Sequence, residues 1–477
     1  MFRRLTNRLS DSLNRSRKRR VLVIGLDCAS PQLVFDQFRD ELPHLSQLMR
    51  GGTWGTLNSC TPCITVPAWA CMTTGHDPGE LGCYGFRNRT DYSYDRMTVA
   101  DGTAIRAKRV WDHLGDAGKS SVVVSVPQTH PPRPLNGHLI SGFPAPGTDS
   151  AFTYPAVLKT EVLRIAPDYH FDIADFRTED KPALLQRIHD FTEVQYRVIR
   201  HLMESKPWDF FMHVNMGTDR IHHAFWRYHD PQHRLHEAGN PFEYAIRDYY
   251  RTVDAQIGEL LSRIDDSTAV LVVSDHGVRR MDGAICLNEW LWRNGWLALK
   301  TPPAEGVITA FDEQNVDWSR TRAWGSGGYY GRVSLNVAGR EPQGIIAPED
   351  FEKVRDELAV ALCAIPDAQG QPLKTQAFKP QDIYREVNGI APDLIVYFGD
   401  LHWRSVGSLG YGRHYTLEND TGPDDANHAV EGMYILHEPN GKSRGRVDGQ
   451  SLFEVMPTIL DLMGVAAPEG ISGTSIR

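Results

Sequence analysis

The feature that most constrains this chain is a set of short apolar runs, each too short for a helix. They cover residues 21–26, 122–126, 210–214, 269–273, 394–398 and 433–436. Runs of this kind, rich in Val, Ile, Leu and Phe and without polar alternation, suit strands buried on both faces of a parallel sheet. Helical patterns lie between them. The clearest has Leu185, Ile188, Phe191, Val194, Val198 and Leu202 at spacings of three and four. Strands alternating with helices predict an α/β fold, with a mostly parallel central sheet and helices on both faces. From about residue 300 to 385 the alternation weakens and Pro and Gly become frequent. That stretch is read as a cap or insertion, and residues 21–477 as one catalytic domain.

Composition narrows the partners. The chain has 477 residues and a net charge of −9, so it is not built to bind a nucleic acid polymer. A negative protein that handles phosphates needs local positive charge, which bound metal cations supply. No apolar run reaches membrane-spanning length, and the N-terminus lacks the apolar segment of a signal peptide. Seven cysteines, an odd count, argue against a disulfide framework and for a reducing, cytoplasmic setting. Cys60 and Cys63 form one C-x-x-C pair with no second pair to complete a zinc site, and are read as packing residues at a turn. Residues 1–20 hold eight Arg and Lys against the single acid Asp11. Phe2, Leu5, Leu9 and Leu13 give this segment only a thin apolar face. It is read as a basic, solvated tail, with peripheral membrane contact as the alternative.

The chemistry gathers at strand ends, where open α/β sheets bind their ligands. The first run leads into Asp27. The run at 210–214 leads into Asn215-Met-Gly-Thr-Asp219. The run at 269–273 leads into Ser274-Asp275-His276-Gly277. Three carboxylates on one rim repel each other unless divalent cations sit between them. Asp219 and His223 are spaced i, i+4 and share a helix face, so they can share a metal. His222 points about 100° away, towards a supporting or surface position. His428 is a further candidate ligand. Mixed Asp/His ligation suits zinc, and also manganese or iron. Each residue taken singly has a plain structural reading as an N-cap or a satisfied histidine. The coincidence of three strand-end acids is what argues for metal. A polar turn at residues 60–66 then leads into a small-residue helix starting near Pro67. Thr65 is the hydroxyl best placed in the field of that helix's free N–H groups, where phosphate also binds.

Taken together, these motifs resemble the alkaline phosphatase superfamily, and within it the type I phosphodiesterase/nucleotide pyrophosphatase group. The segment T-V-P-A-W-A-C-M-T-T-G-H-D-P-G, from Thr65 to Gly79, is similar to the family's nucleophile region. D-x-x-x-H falls on Asp219 and His223, S-D-H-G on Ser274–Gly277, and the late metal histidine on His428. The resemblance implies two divalent cations. One is held by Asp27, Asp275, His276 and the Thr65 oxygen, the other by Asp219, His223 and His428. It also implies attack by Thr65 on phosphorus through a phospho-threonine. The family often has an Asn after the T-G-x-x-P segment, and Phe86 falls near that position here. Arg87, Asn88 or backbone amides are the substitutes expected to contact phosphate. A sulfatase needs Arg where Ile64 stands. A phosphomonoesterase or a phosphotransferase could use the same residues, and a non-catalytic metal-binding protein would lack one of them. The reading adopted is a hydrolase of small-molecule phosphodiesters or pyrophosphates.

Overall fold

The computed structural model describes residues 19–367, 369–439 and 441–477. The basic segment 1–20 therefore lies, apart from Arg19 and Arg20, outside the described residues. The central sheet runs, in spatial order, through strands Thr53–Asn58, Glu431–His437, Thr268–Val273, Arg20–Leu26, Phe210–Asn215, Ser121–Val126 and Gly137–Ser141, with short edge strands beyond. Every pairing from Thr268–Val273 across to Gly137–Ser141 is parallel. Glu431–His437 is antiparallel to both of its neighbours. The inner strands are sealed on both sides: Val21, Leu22, Val23 and Ile24 are fully buried, as are Phe210 and Phe211. This is why their sequences read as unbroken apolar runs.

Two sets of helices cover the sheet. One contains Pro43–Gly51, Lys181–Ser205, Gly217–His229 and Ala245–Leu261; the other contains Thr65–Thr74, Val110–Asp116 and Val455–Leu462. The Thr65–Thr74 helix lies so close to the first strand that a Cβ on Gly25 would stand 2.6 Å from the Trp69 ring. Only glycine admits that approach.

The run at 394–398 does form a strand, Leu394–Tyr397, but outside the central sheet. It joins Ala323–Ser326, Gly331–Leu335 and Gln376–Phe378 in a four-stranded antiparallel sheet. This sheet has its own apolar core, including Trp290, Trp324, Leu358 and Phe398. A short apolar run reports burial, not which sheet buries it. The second core belongs to an excursion of the chain. Strand Gly277–Arg280 pairs antiparallel with Ala426–Ala429, and the chain between them builds the second core. The cap bounds expected from the sequence, about 300–385, fall within this excursion. Among the described residues, no helix is long and apolar enough to cross a membrane.

Candidate active site

Strand register brings the acids to one rim. Leu26 pairs with Asn215 and Gly25 with Val273, so Asp27, Met216 and Asp275 emerge side by side at the carboxyl end of the sheet. The Asp27 N–H donates to the Asn215 carbonyl at 3.0 Å, and the Thr218 hydroxyl donates to the Asp27 carbonyl at 2.7 Å. These bonds lock the first turn of the Gly217–His229 helix to the first strand. That helix then presents Asp219 and His223 on one face, with His223 Nε2 3.2 Å from Asp219 Oδ1. His428 arrives from strand Ala426–Ala429, its Nε2 3.3 Å from that of His223.

Two groups of possible metal ligands result. Ligand atoms of Asp219, His223 and His428 all lie within 4.8 Å of one another, and so do those of Asp27, Asp219 and His276. Asp275 Oδ2 is 3.2 Å from His276 Nε2. The rings of His276 and His428 stack at 3.9 Å, which ties the two groups into one continuous cluster. Asp219 reaches both groups, whereas the resemblance assigned it to one.

The helix bearing Thr65 begins at Thr65 itself, two residues before Pro67, and Ile64 at its N-cap offers no side-chain hydrogen bond. Proline is tolerated in a first turn, where its missing N–H would go unused. The first-turn N–H groups therefore have no capping side chain and are available to an anion. Thr65 Oγ1 sits 3.5 Å from Asp27 Oδ1 and 3.4 Å from His276 Nε2.

The electrostatics are those of a cation site. Burial pushes the carboxyls of Asp27 and Asp275 well above the usual carboxylate range, and their mutual repulsion and that of Asp219 add to it. Burial acts on Asp219 in the same direction, but the charges of His223 and Arg220 outweigh it and hold this carboxyl well below that range. Burial alone would depress His223, yet Asp424 and Asp219 raise it to about 9. Burial lowers His276 to about 4 and puts His428 well below its ordinary value. Asp219 Oδ1 and Asp275 Oδ2 are sealed from water and accept no hydrogen bond. Orphaned buried carboxylate oxygens facing imidazole nitrogens fit a divalent cation. The donor set of Asp27, Asp219, Asp275, His223, His276 and His428 suits two.

Several supporting residues were missed in the sequence. Asp424 Oδ1 takes His223 Nδ1 at 2.7 Å, which leaves Nε2 facing the ligand cluster. Tyr329 donates to Asp424 Oδ2 at 3.0 Å and lays its ring over His223 and His428. Trp69 donates to Asp27 Oδ2 at 2.7 Å. Arg220 pairs with Asp219 and forks onto Asp172 at 2.7 and 2.8 Å. The one sequence signal for Asp424 was its place four residues before His428. His222 is not at the surface. It is fully buried, 3.2 Å from the Tyr250 hydroxyl. Of the two suggested phosphate contacts, Arg87 lines the cavity beside the cluster, whereas Asn88 does not. The Asn88 amide closes its own loop, accepting from Tyr84 N at 2.9 Å and donating to the Gly85 carbonyl at 3.4 Å.

The sequence profile of the type I phosphodiesterase / nucleotide pyrophosphatase family matches residues 21–424. The chain belongs to this family. It is accordingly a phosphoric ester hydrolase of the alkaline phosphatase superfamily. Solved structures agree on the fold of this phosphodiesterase-family chain. Human ectonucleotide pyrophosphatase / phosphodiesterase 5 superposes with a TM-score of 0.56 at 13% identity, covering 95% of this chain and 97% of that one. Phosphonoacetate hydrolase from Sinorhizobium meliloti 1021, solved with phosphonoformate, gives a TM-score of 0.58 at 14% identity, covering 94% and 96%. A comparison with curated protein sequences finds no match.

Proposed function

We propose that this protein hydrolyses small phosphodiesters or pyrophosphates with two divalent cations, zinc being the best fit, and with Thr65 as nucleophile. The observation that carries the reading is the Thr65 hydroxyl, uncapped at a helix start, beside a buried cluster of carboxylates and imidazoles with unmet acceptors. Asp27, Asp275, His276 and the Thr65 oxygen would hold one cation, and Asp219, His223 and His428 the other. When bound, such cations lower the pKa of a coordinated hydroxyl and neutralise charge on the phosphoryl oxygens. Thr65 Oγ1 loses its proton to solvent as it attacks phosphorus; the bond to the leaving oxygen breaks, the leaving group departs with a proton from water, and Thr65 carries the remaining phosphoryl ester until water hydrolyses it. Free N–H groups at the helix start donate to the phosphoryl oxygens. Trp69 and Asp424 hold Asp27 and His223 in orientation throughout.

Diesters are favoured over monoesters for a specific reason. The arginines that touch the ligand network, Arg220 and Arg177, are already neutralised by Asp219, Asp172 and Asp424. Neither is free to meet the additional charge of a monoester. The test uses bis(p-nitrophenyl) phosphate and p-nitrophenyl phosphate. Chelation should abolish turnover of the diester, and Zn²⁺ or Mn²⁺ should restore it. Thr65→Ala should lower turnover by several orders of magnitude at unchanged metal content, and acid quenching during diester turnover should trap a p-nitrophenyl phosphoryl group on the peptide containing Thr65. Normal turnover by Thr65→Ala, or full activity without metal, overturns the mechanism; a preference for the monoester overturns the substrate class.

A further inference from the structure

A cavity of about 600 Å³ opens beside the ligand cluster, with Ile64 and Arg220, neighbours of Thr65 and Asp219, in its wall. Five arginines line it, and four have partners or solvent. Arg177 is held by Asp424 at 3.1 Å and by the Tyr329 hydroxyl at 2.7 Å. Arg220 is held by Asp172 and Asp219. Arg332 donates to the Arg87 carbonyl at 2.8 Å, and Arg87 is exposed. Arg404 differs from all of them. It is only 4% exposed, its Nε and Nη1 donate to nothing, and its nearest carboxylate, Asp420, stops 3.9 Å from Nη2. A buried guanidinium with unmet donors is costly unless something supplies the acceptors.

Its position is fixed and close to the chemistry. Arg404 lies on strand Trp403–Val406, opposite Ala284 of the parallel strand Gly283–Cys286. The next residue, Ser405, exchanges backbone hydrogen bonds of 2.8 and 2.9 Å with Gly328, which pins the loop carrying Tyr329. The Arg404 guanidinium sits 5.5 Å from the centre of the Tyr329 ring, and that ring sits 4.4 Å from the ring of His428. One aromatic ring therefore separates Arg404 from the ligand cluster.

We propose that Arg404 is the anchor for a second anionic group on the substrate. The substrate class is then a phosphoester whose organic substituent carries a carboxylate or a further phosphoryl group, about one ring's length from the scissile phosphorus. The guanidinium fork suits either acceptor. Asp420 is the internal competitor that the incoming anion displaces. This rests on the phosphoryl site proposed above, but its test does not need turnover.

Binding is measured calorimetrically on the zinc-loaded protein with three non-hydrolysable ligands: phenylphosphonate, 4-carboxyphenylphosphonate and 1,4-phenylenebisphosphonate. At least one doubly anionic ligand should bind about tenfold or more tighter than phenylphosphonate, and which one does identifies the group. Arg404→Gln should erase that preference while leaving phenylphosphonate affinity and zinc content unchanged. Arg404→Lys, which keeps the charge but not the fork, should retain part of it, and Asp420→Asn should strengthen it. Equal binding of all three ligands by the unaltered protein, no binding of any, or equal losses in Arg404→Gln for all three overturns the anchor. If Arg404→Gln fails to fold, loss of the preference in a folded Arg404→Lys still supports the anchor, and an undiminished preference there overturns it. Binding with the expected preference, but no hydrolysis of the matching p-nitrophenyl diesters, would leave the anchor standing and sink the hydrolase mechanism instead.

Discussion

His222 and His223 are neighbours in sequence with opposite environments. His223 faces Asp219, His428 and Asp424; His222 faces Tyr250 and Trp226. Burial lowers His222 to about 3, so it is a neutral core residue. His223→Ala should lose one metal equivalent and nearly all activity. His222→Ala should keep both metals but lose about 2–4 kcal/mol of stability through the space it leaves. Metal analysis and thermal unfolding of the two variants test this, and metal loss in His222→Ala at intact stability would reverse the assignment. The i, i+4 spacing made His223 legible in the sequence. Tyr329 and Arg404 were not, because they approach from a loop and a strand far along the chain with no local pattern to mark them, and Asp424 had only its place four residues before His428.

The Gly217–His229 helix sets the spacing of two of the six candidate ligands, Asp219 and His223, and its start is held by a close approach. A Cβ on Gly217 would stand 1.9 Å from the Tyr249 hydroxyl and 3.0 Å from Asn215 Oδ1. Gly217→Ala should push the first turn outwards, costing about 1–3 kcal/mol and at least tenfold in metal affinity. Because the obstructing atom is a hydroxyl, adding Tyr249→Phe should recover part of both losses, measured by unfolding and by metal titration; no recovery would show that the glycine matters for another reason. At this scale the sequence was informative about the central strands and the 181–205 helix, where periodicity and burial coincide. It misled at 394–398, where the same apolar signature serves a different sheet. It also set the start of the nucleophile helix at Pro67 rather than Thr65, since a proline in a first turn marks a helix start only to within a few residues.

In the whole molecule, the candidate ligands hold protons that a bound cation would displace. The carboxyls of Asp27 and Asp275 are pushed up, and His223 is raised to about 9, so at neutral pH His223 carries a proton on a nitrogen that a metal needs. His276, at about 4, is already neutral. Metal binding should therefore release protons, and affinity should rise as pH increases from 6 towards 9. Calorimetry in buffers of different ionisation enthalpy measures the count, and affinity that falls with rising pH would contradict the site. Saturating zinc should also raise the melting temperature, since ligand at about 1,000 times its dissociation constant adds about 4 kcal/mol. The antiparallel ladder of Gly277–Arg280 with Ala426–Ala429 carries a further consequence. The register sets Val278 opposite His428, so the excursion between these strands leaves and rejoins the molecule at neighbouring rungs. Lengthening that excursion at a point away from Tyr329 and Asp424 leaves the spacing of His276 and His428 untouched. A lineage built on this plan can change what it admits while inheriting the same chemistry, and its history should show rapid turnover between the two rungs, those two positions apart, and near stasis upon them.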